Sequence, residues 1–228
     1  MTAVAAPVRR TDADPEARFR YGAVFVLVLA LLLFEVLTPD AAWSRAAGIA
    51  LSGAALSVAV TTSRERAQVR RARSLLVAVV AFLVVIGVAT GLLSVAATYV
   101  IGTLVLAAIP FTLAGGVLRL INEEGVTFQA VAGALAIYLV IGLLFASAIA
   151  FVADVESGSF FTQTSHAPNG VRVYYSFTVL TTTGFGDYTA AQSVGRALAV
   201  LEMLTGQLYL VTVIGILIGN FVGRRMRK

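Results

Sequence analysis

Six long apolar runs constrain the fold of this chain more than any other feature of its sequence. Each run has at least 17 residues, and a helix needs about 17 to 25 apolar residues to cross a bilayer. Hydrophobic residues make up 59% of the chain and charged residues 13%, more apolar surface than a soluble core can bury. The sequence therefore predicts an all-α membrane protein with six transmembrane helices. The predicted spans are Tyr21–Leu37, Ala46–Thr62, Ser74–Leu93, Thr98–Leu118, Thr127 to about Val152, and about Val194 to Val222.

The positions of the basic residues predict how these spans are oriented. If the N-terminus is cytoplasmic, the segments on the inner side carry 14 of the 17 Lys and Arg residues. Positive residues concentrate in cytoplasmic loops, so this orientation fits six spans well. We therefore expect a multi-pass protein of the cell membrane with both termini in the cytoplasm. The inner segments are 1–20, 63–73, 119–126 and 223–228, and the outer side holds Arg45, Arg172 and Arg196.

Composition excludes several kinds of chemistry. The chain has no cysteine and one histidine, so a disulfide framework, a thiolate metal site and a histidine-based metal centre are not expected. No cofactor is expected either. A basic segment follows the second span, and its arginines are Arg64, Arg66, Arg70, Arg71 and Arg73. Because membrane spans flank it, we interpret it as a topology signal or a site for anionic lipid headgroups, and no nucleic-acid partner is expected.

A polar cluster, TTTGFGDYT at 181–189, lies between the fifth and sixth spans. The apolar stretch before it, 173–182, is too short to cross a bilayer but long enough for a helix that enters and stops. Non-helical backbone at membrane depth is tolerated where it is buried in protein or lines a water-filled path. Gly184 and Gly186 allow backbone angles that other residues resist, and an alternating backbone can turn successive carbonyls toward one axis. A bare G-x-G alone would indicate only a turn between helices.

The cluster and the residues after it carry a resemblance to a known family. Thr182–Asp187, TTGFGD, resembles the selectivity filter of tetrameric potassium channels, whose carbonyl rings replace the hydration shell of the ion. The resemblance continues without a gap through Gly195-Arg196 after the filter and Gly206 within the last span. It reaches Val222-Gly223-Arg224 at the end of the last span and covers about Thr127 to Lys228. Residues 1–126 match no motif of that family.

The resemblance implies passive conduction of potassium ions and no enzymatic reaction. It implies a re-entrant pore helix and a filter between helices five and six. One filter motif per chain implies that four copies assemble around an axis, as a homotetramer. The ion sites would be the carbonyls of Thr182, Thr183, Gly184 and Phe185, with the Thr182 hydroxyl, and Gly186 and Asp187 would complete the filter.

The same resemblance implies a division of the chain. Residues 1–20 would be a cytoplasmic tail, 21–118 a four-helix bundle placed like a voltage sensor, 119–126 a linker and 127–228 the pore domain. Voltage sensing requires several arginines along the fourth helix. The fourth span has none before Arg119, so we expect no steep voltage dependence.

Three residues depart from the family pattern. Thr183 stands where a valine or isoleucine is usual, Phe185 where tyrosine is usual, and Thr178 where many members have a glutamate that pairs with the filter aspartate. We expect Asp187 to find another donor, with Tyr174 the candidate. The departures leave open a non-selective or sodium-permeable channel of the same superfamily. A secondary transporter is a further alternative, but residues 1–126 show no counterpart of the TTTGFGD motif.

The last span contains the remaining candidate residues. Gly206 is predicted to be a gating hinge, and Gln207, Leu210 and Ile214 either face the pore cavity or pack against neighbouring helices. Glu202 is an intramembrane carboxyl, which is a functional candidate by default. It either couples protonation to gating or bonds to a hydroxyl behind the filter. Outside that span, Glu35 and His166 are weaker candidates for pH sensing.

Overall fold

The computed structural model is helical apart from short loops and an isolated antiparallel bridge in the part of the chain that it describes. It describes residues 20–62, 79, 82–84, 86–87, 90–156 and 158–225. The third predicted span lies largely, and the basic segment 64–73 wholly, outside these residues. The long helices are α1 (Arg20–Leu37), α2 (Ala42–Thr62), α3 (Val95–Glu124), α4 (Phe128–Val155), α5 (Asn169–Leu180) and α6 (Ser193–Arg225).

Four of these helices are long and apolar enough to cross a membrane. The qualifying segments are Ala42–Val60, Val95–Glu124, Phe128–Val155 and Ser193–Leu217, while Tyr21–Leu37 is a shorter apolar helix. The described residues therefore support an all-helical, multi-pass membrane protein. Six spans stay a prediction.

The joint between α3 and α4 is shorter than the sequence predicts. Helix α3 runs through Glu124, so the polar stretch expected as a linker at 119–126 is mostly helical. Gly125, with φ of +84°, ends α3 by donating its N–H to the Ile121 carbonyl, and the Thr127 hydroxyl caps the first turn of α4. The change from apolar to polar residues at Arg119 marks the end of the apolar run and not the end of the helix.

Helix α4 lies at the centre of the packing. It contacts α1, α3, α5 and α6, and its buried face is rich in alanine and glycine. Small residues let helix backbones approach closely, as in other membrane bundles. The short α3–α4 joint places α3 antiparallel to α4. Helices α1 and α3 pack directly against α4, and α2 packs against α1 and α3.

An ion pair joins the α1–α2 loop to the first turn of α5. The Arg172 side chain is buried and pairs with the Asp40 carboxylate. Its guanidinium also lies over the Tyr99 ring of α3, 5.5 Å from the ring centroid. Asp40 forms a second, more exposed pair with Arg45, at 2.8 Å. Arg172 thereby fixes the start of α5 against two other elements.

Two further contacts dock α1 on the same turn. The Asn169 side-chain amide donates hydrogen bonds to the Glu35 carboxylate and to the Glu35 carbonyl. The backbone approaches closely at Gly170, where a Cβ atom would lie 2.5 Å from the Val36 carbonyl oxygen. Glu35 therefore lies in the last turn of α1 and binds the first turn of α5.

Asp40→Ala is expected to destabilise the protein because it leaves the buried Arg172 guanidinium unpaired. Breaking a buried ion pair costs about 3–5 kcal/mol, and we expect the lower end of that range because Asp40 is 27% exposed. Thermal unfolding of the purified protein in detergent measures the change. Arg45→Ala is the matched control, since it removes only the exposed pair and should cost at most about 1 kcal/mol. Equal losses in the two variants would contradict this account of Arg172.

Candidate functional site

Helix α5 ends directly before the polar cluster. It has 12 residues, Asn169–Leu180, which is too short to cross a bilayer. Val173, Ser176 and Leu180 are buried along one side, and the helix packs against α1, α4 and α6. The Thr181 N–H bonds to the Phe177 carbonyl at 3.1 Å, and the chain then leaves the helix.

The Thr178 carbonyl holds the start of the cluster. It accepts hydrogen bonds from the N–H groups of Thr183, at 2.9 Å, and Gly184, at 3.1 Å. The Thr178 hydroxyl instead donates to the Tyr175 carbonyl, at 2.8 Å. Thr178, expected to support the filter, therefore contacts it through its main-chain carbonyl and not through its side chain.

The backbone of the cluster alternates in conformation. Positive φ angles occur at every second residue: Thr182 at +56°, Gly184 at +53° and Gly186 at +79°. Thr182 is the one non-glycine residue with positive φ in the part of the chain that the structure describes. This conformation costs an L-residue about 1–2 kcal/mol, and such strain concentrates at functional sites.

Helix α6 contributes a side chain to the same place. The Gln207 amide donates to the Thr182 hydroxyl oxygen at 3.1 Å. The hydroxyls of Thr181 and Thr183 are hydrogen-bonded to each other, at 2.8 Å. Leu210, half-buried, and Ile214, exposed, follow Gln207 about one and two turns later on α6. Their position in a pore cavity stays a prediction.

Tyr174 and Asp187 are brought together, as the sequence suggested. The Asp187 carboxylate beside the Tyr174 phenol raises the pKa of that phenol. The Asp187 carboxylate also accepts from the Tyr188 N–H, at 3.1 Å. The Tyr174 ring lies parallel to the Phe185 ring, with 6.3 Å between centroids, so Tyr174 contacts two residues of the cluster.

A segment that we call the outer strap, residues 160–163, pairs with residues 189–191 after the cluster. The Thr162 N–H bonds to the Thr189 carbonyl at 3.0 Å. The Gln163 side chain accepts from the Thr189 N–H at 3.0 Å and donates to its hydroxyl at 3.1 Å. Sequence reasoning missed this pairing because the strap is too short to show an alternating strand pattern.

Aromatic packing attaches the outer strap to α5. Phe161 is buried, and its ring meets those of Tyr175 and Tyr188 edge to face, at 5.0 and 5.6 Å between centroids. Edge-to-face pairs of this kind add about 0.5–1.5 kcal/mol beyond burial. The C-terminal end of the cluster is thereby attached to the helix that precedes the cluster.

Gly206 allows α6 to touch the end of α5. A Cβ atom at this position would lie 2.4 Å from the Leu180 carbonyl oxygen. Helix α6 is continuous through Gly206. Close packing is thus a sufficient reason for glycine here, and the hinge role stays a prediction.

The two remaining candidate groups differ in their surroundings. Glu202 is fully buried on α6 and contacts the Ser176 hydroxyl of α5, which is the hydroxyl contact that the sequence allowed. His166 is exposed in the loop before α5, and its main chain bonds to the Thr164 side chain. It lies outside the contacts that form the cluster.

Comparison with known proteins supports an ion-channel domain. A family described as ion channel matches residues 137–222, which include most of α4, all of α5, the cluster and α6 as far as Val222. The match covers less than half of the chain and supports passive ion conduction. No curated protein and no solved structure matches the chain.

Gly206→Ala is expected to destabilise the protein by about 1–3 kcal/mol, because the added methyl overpacks a contact with backbone that cannot move aside. Thermal unfolding in detergent measures the loss. Gly215→Ala is the control: it lies on the same helix, and its added Cβ would have nothing within 4 Å. A purely hinge-like Gly206 predicts the opposite pattern, with altered channel opening at unchanged stability.

Proposed function

We propose that the protein is a potassium-selective channel that conducts K⁺ passively through the segment TTTGFGD. The observation that carries the proposal is the alternation of positive φ at Thr182, Gly184 and Gly186, directly after a short helix and within the matched region 137–222. Such alternation lets successive peptide groups face the same side. A row of carbonyls facing one axis is what replaces the hydration shell of a potassium ion.

The proposed ion sites follow from this backbone. The carbonyls of Thr182, Thr183, Gly184 and Phe185 would coordinate dehydrated ions, with the Thr182 hydroxyl at the inner end. The Gln207 amide supports that assignment because it bonds to the Thr182 hydroxyl and orients it. Adjacent sites let neighbouring ions repel one another onward, which combines selectivity with throughput.

The exposure of the site in a single chain supports assembly as a homotetramer. Phe185 is 69% exposed, and the polar residues 181–187 are exposed with it. Irregular polar backbone at membrane depth must be covered by protein or line a water path. Each chain supplies one filter strand, so four copies around an axis would provide both. The exposed apolar residues on α6 would pack in that assembly, and they include Leu201, Leu204, Leu208 and Val211.

The proposed domain arrangement follows the helices. Residues 127–228 would form the pore domain, and 21–118 a bundle that resembles a voltage sensor in position only. Helix α3 contains no arginine before Arg119 near its end, and gating charge is what voltage acts on. We therefore propose a channel without steep voltage dependence, oriented with both termini in the cytoplasm and with anionic lipid at 64–73.

A sodium-permeable or non-selective channel is the second candidate. The Thr178 hydroxyl bonds to its own helix, so α5 supplies no side chain from that position to brace Asp187. The Thr183 hydroxyl bonds to Thr181 where the family usually packs a methyl group. A filter braced differently could hold its carbonyls less rigidly.

Potassium flux through purified protein in liposomes tests the proposal. We expect flux that barium blocks and a reversal potential in mixed K⁺ and Na⁺ that follows the potassium gradient. A reversal potential independent of which cation is on which side favours the second candidate. Absence of any flux from well-folded protein overturns both.

Gly184→Ala is expected to lower potassium flux at least about tenfold. Gly184 has φ of +53°, a conformation that costs an L-residue about 1–2 kcal/mol, so the carbonyls of the filter would be reoriented. Liposome flux per folded channel gives the measurement. Gly115→Ala on α3, with nothing within 4 Å of its added Cβ, is the matched control and should conduct as the wild type does. Wild-type flux from Gly184→Ala would contradict the assignment of the ion sites.

A further inference from the structure

Glu202 forms a buried hydrogen-bonded group that joins three helices. It is 0% exposed on α6, and its carboxyl Oε1 contacts the Ser176 hydroxyl of α5. The same hydroxyl oxygen lies 2.7 Å from the Gly142 carbonyl oxygen of α4. The other carboxyl oxygen, Oε2, is buried with no hydrogen-bond partner in the described part of the chain.

Counting hydrogens decides the protonation state that fits this geometry. The Ser176 hydroxyl has one hydrogen but faces two acceptors, the Glu202 carboxyl and the Gly142 carbonyl. With an ionised carboxylate, one of these contacts would lack a hydrogen, and the buried charge would have no counterion among the described residues. With a protonated carboxyl, Glu202 donates to Ser176 and Ser176 donates to Gly142, so both contacts become hydrogen bonds.

We propose that Glu202 is a protonated positioning residue that holds α5 between α4 and α6, and that loss of its proton switches the filter to a less conductive state. The inference rests on the proposed channel function. We call the hydrogen-bonded residues Glu202, Ser176 and Gly142 the Glu202 network.

The Glu202 network is connected to the proposed filter through two residues of α5. Ser176 precedes Thr178 by two residues on α5, and the Thr178 carbonyl binds the N–H groups of Thr183 and Gly184. A shift of α5 at Ser176 would displace that carbonyl and the filter turn with it. The Glu202 network therefore affects conduction by setting the position of α5, without contacting the ion.

The surroundings of Glu202 fix the direction of the pH effect. Among the described residues, the titratable groups close enough to interact with it are Tyr138 from α4 and Tyr175 from α5, and a phenol is neutral near pH 7. They give an ionised Glu202 no cation for compensation. Because the Glu202 network needs the proton of the Glu202 carboxyl, the conductive state exists at low and neutral pH and is lost as the pH rises.

Glu202→Gln tests the switch, because an amide can donate to Ser176 as the protonated acid does but cannot ionise. We expect wild-type potassium flux to fall about tenfold between neutral and strongly alkaline pH, which corresponds to the loss of about one buried hydrogen bond. In Glu202→Gln we expect the ratio of the flux at neutral pH to the flux at alkaline pH to be close to one. Glu156→Gln makes the same chemical change directly after α4, away from the Glu202 network, and should retain the flux ratio of the wild type. A Glu202→Gln variant that keeps the full pH response overturns the proposal.

Infrared spectroscopy of the folded protein measures the proton without relying on conduction. We expect the carbonyl band of a protonated carboxyl at neutral pH in the wild type, its absence in Glu202→Gln and a shifted frequency in Ser176→Ala. If Glu202→Gln does not assemble, the frequency shift in Ser176→Ala assigns the carbonyl band to Glu202. An ionised Glu202 at neutral pH overturns the inference even if the channel conducts potassium. Lack of conduction at every pH, with the protonated band present, would instead contradict the proposed function.

Discussion

The two hydrogen bonds accepted by the Thr178 carbonyl determine where the chain leaves α5 and how the polar cluster begins. Both donors, Thr183 and Gly184, lie within the cluster, so any displacement of α5 is passed directly to it. A helix of 12 residues is marginal by itself, because short helices gain little from propagation after a costly nucleation. The geometry of the cluster consequently depends on how firmly the rest of the protein holds α5.

Three groups of contacts hold this helix along its length. The first turn is fixed by the buried Arg172 ion pair with Asp40, the middle by Ser176 between α4 and α6, and the end by close packing at Gly206. The N-terminal helices therefore contribute to the site although they supply no residue to the polar cluster. Their contribution is mechanical, since α1 packs on α4 and α5 and α3 packs on α4.

The sequence predicted the features that follow from local composition. Apolar run lengths predicted α1, α4 and α6 to within about three residues at each end, and the short apolar stretch before TTTGFGDYT predicted α5. The role of Tyr174 as the donor to Asp187 stays a prediction. The sequence did not predict contacts between distant residues, such as Arg172 with Asp40 or the pairing of the outer strap, because no local periodicity encodes them. Gly206 shows a different limit: a glycine in a helix fits either a hinge or a close approach, and the position of the Leu180 carbonyl provides the second reason.

The unusual residues of the cluster change how its two ends are held. The Thr183 hydroxyl, which would be costly if buried without a partner, is satisfied by Thr181. The C-terminal end is braced by the contact of Tyr174 with Phe185 and by the outer strap through Gln163 and Thr189, and not by a carboxylate from position 178. Rigidity of the cluster then depends on a loop segment outside α5 and on a phenol of α5 itself. If the cluster is the filter that we propose, its ion selectivity is sensitive to changes in the loop before α5, which composition alone marks only as polar.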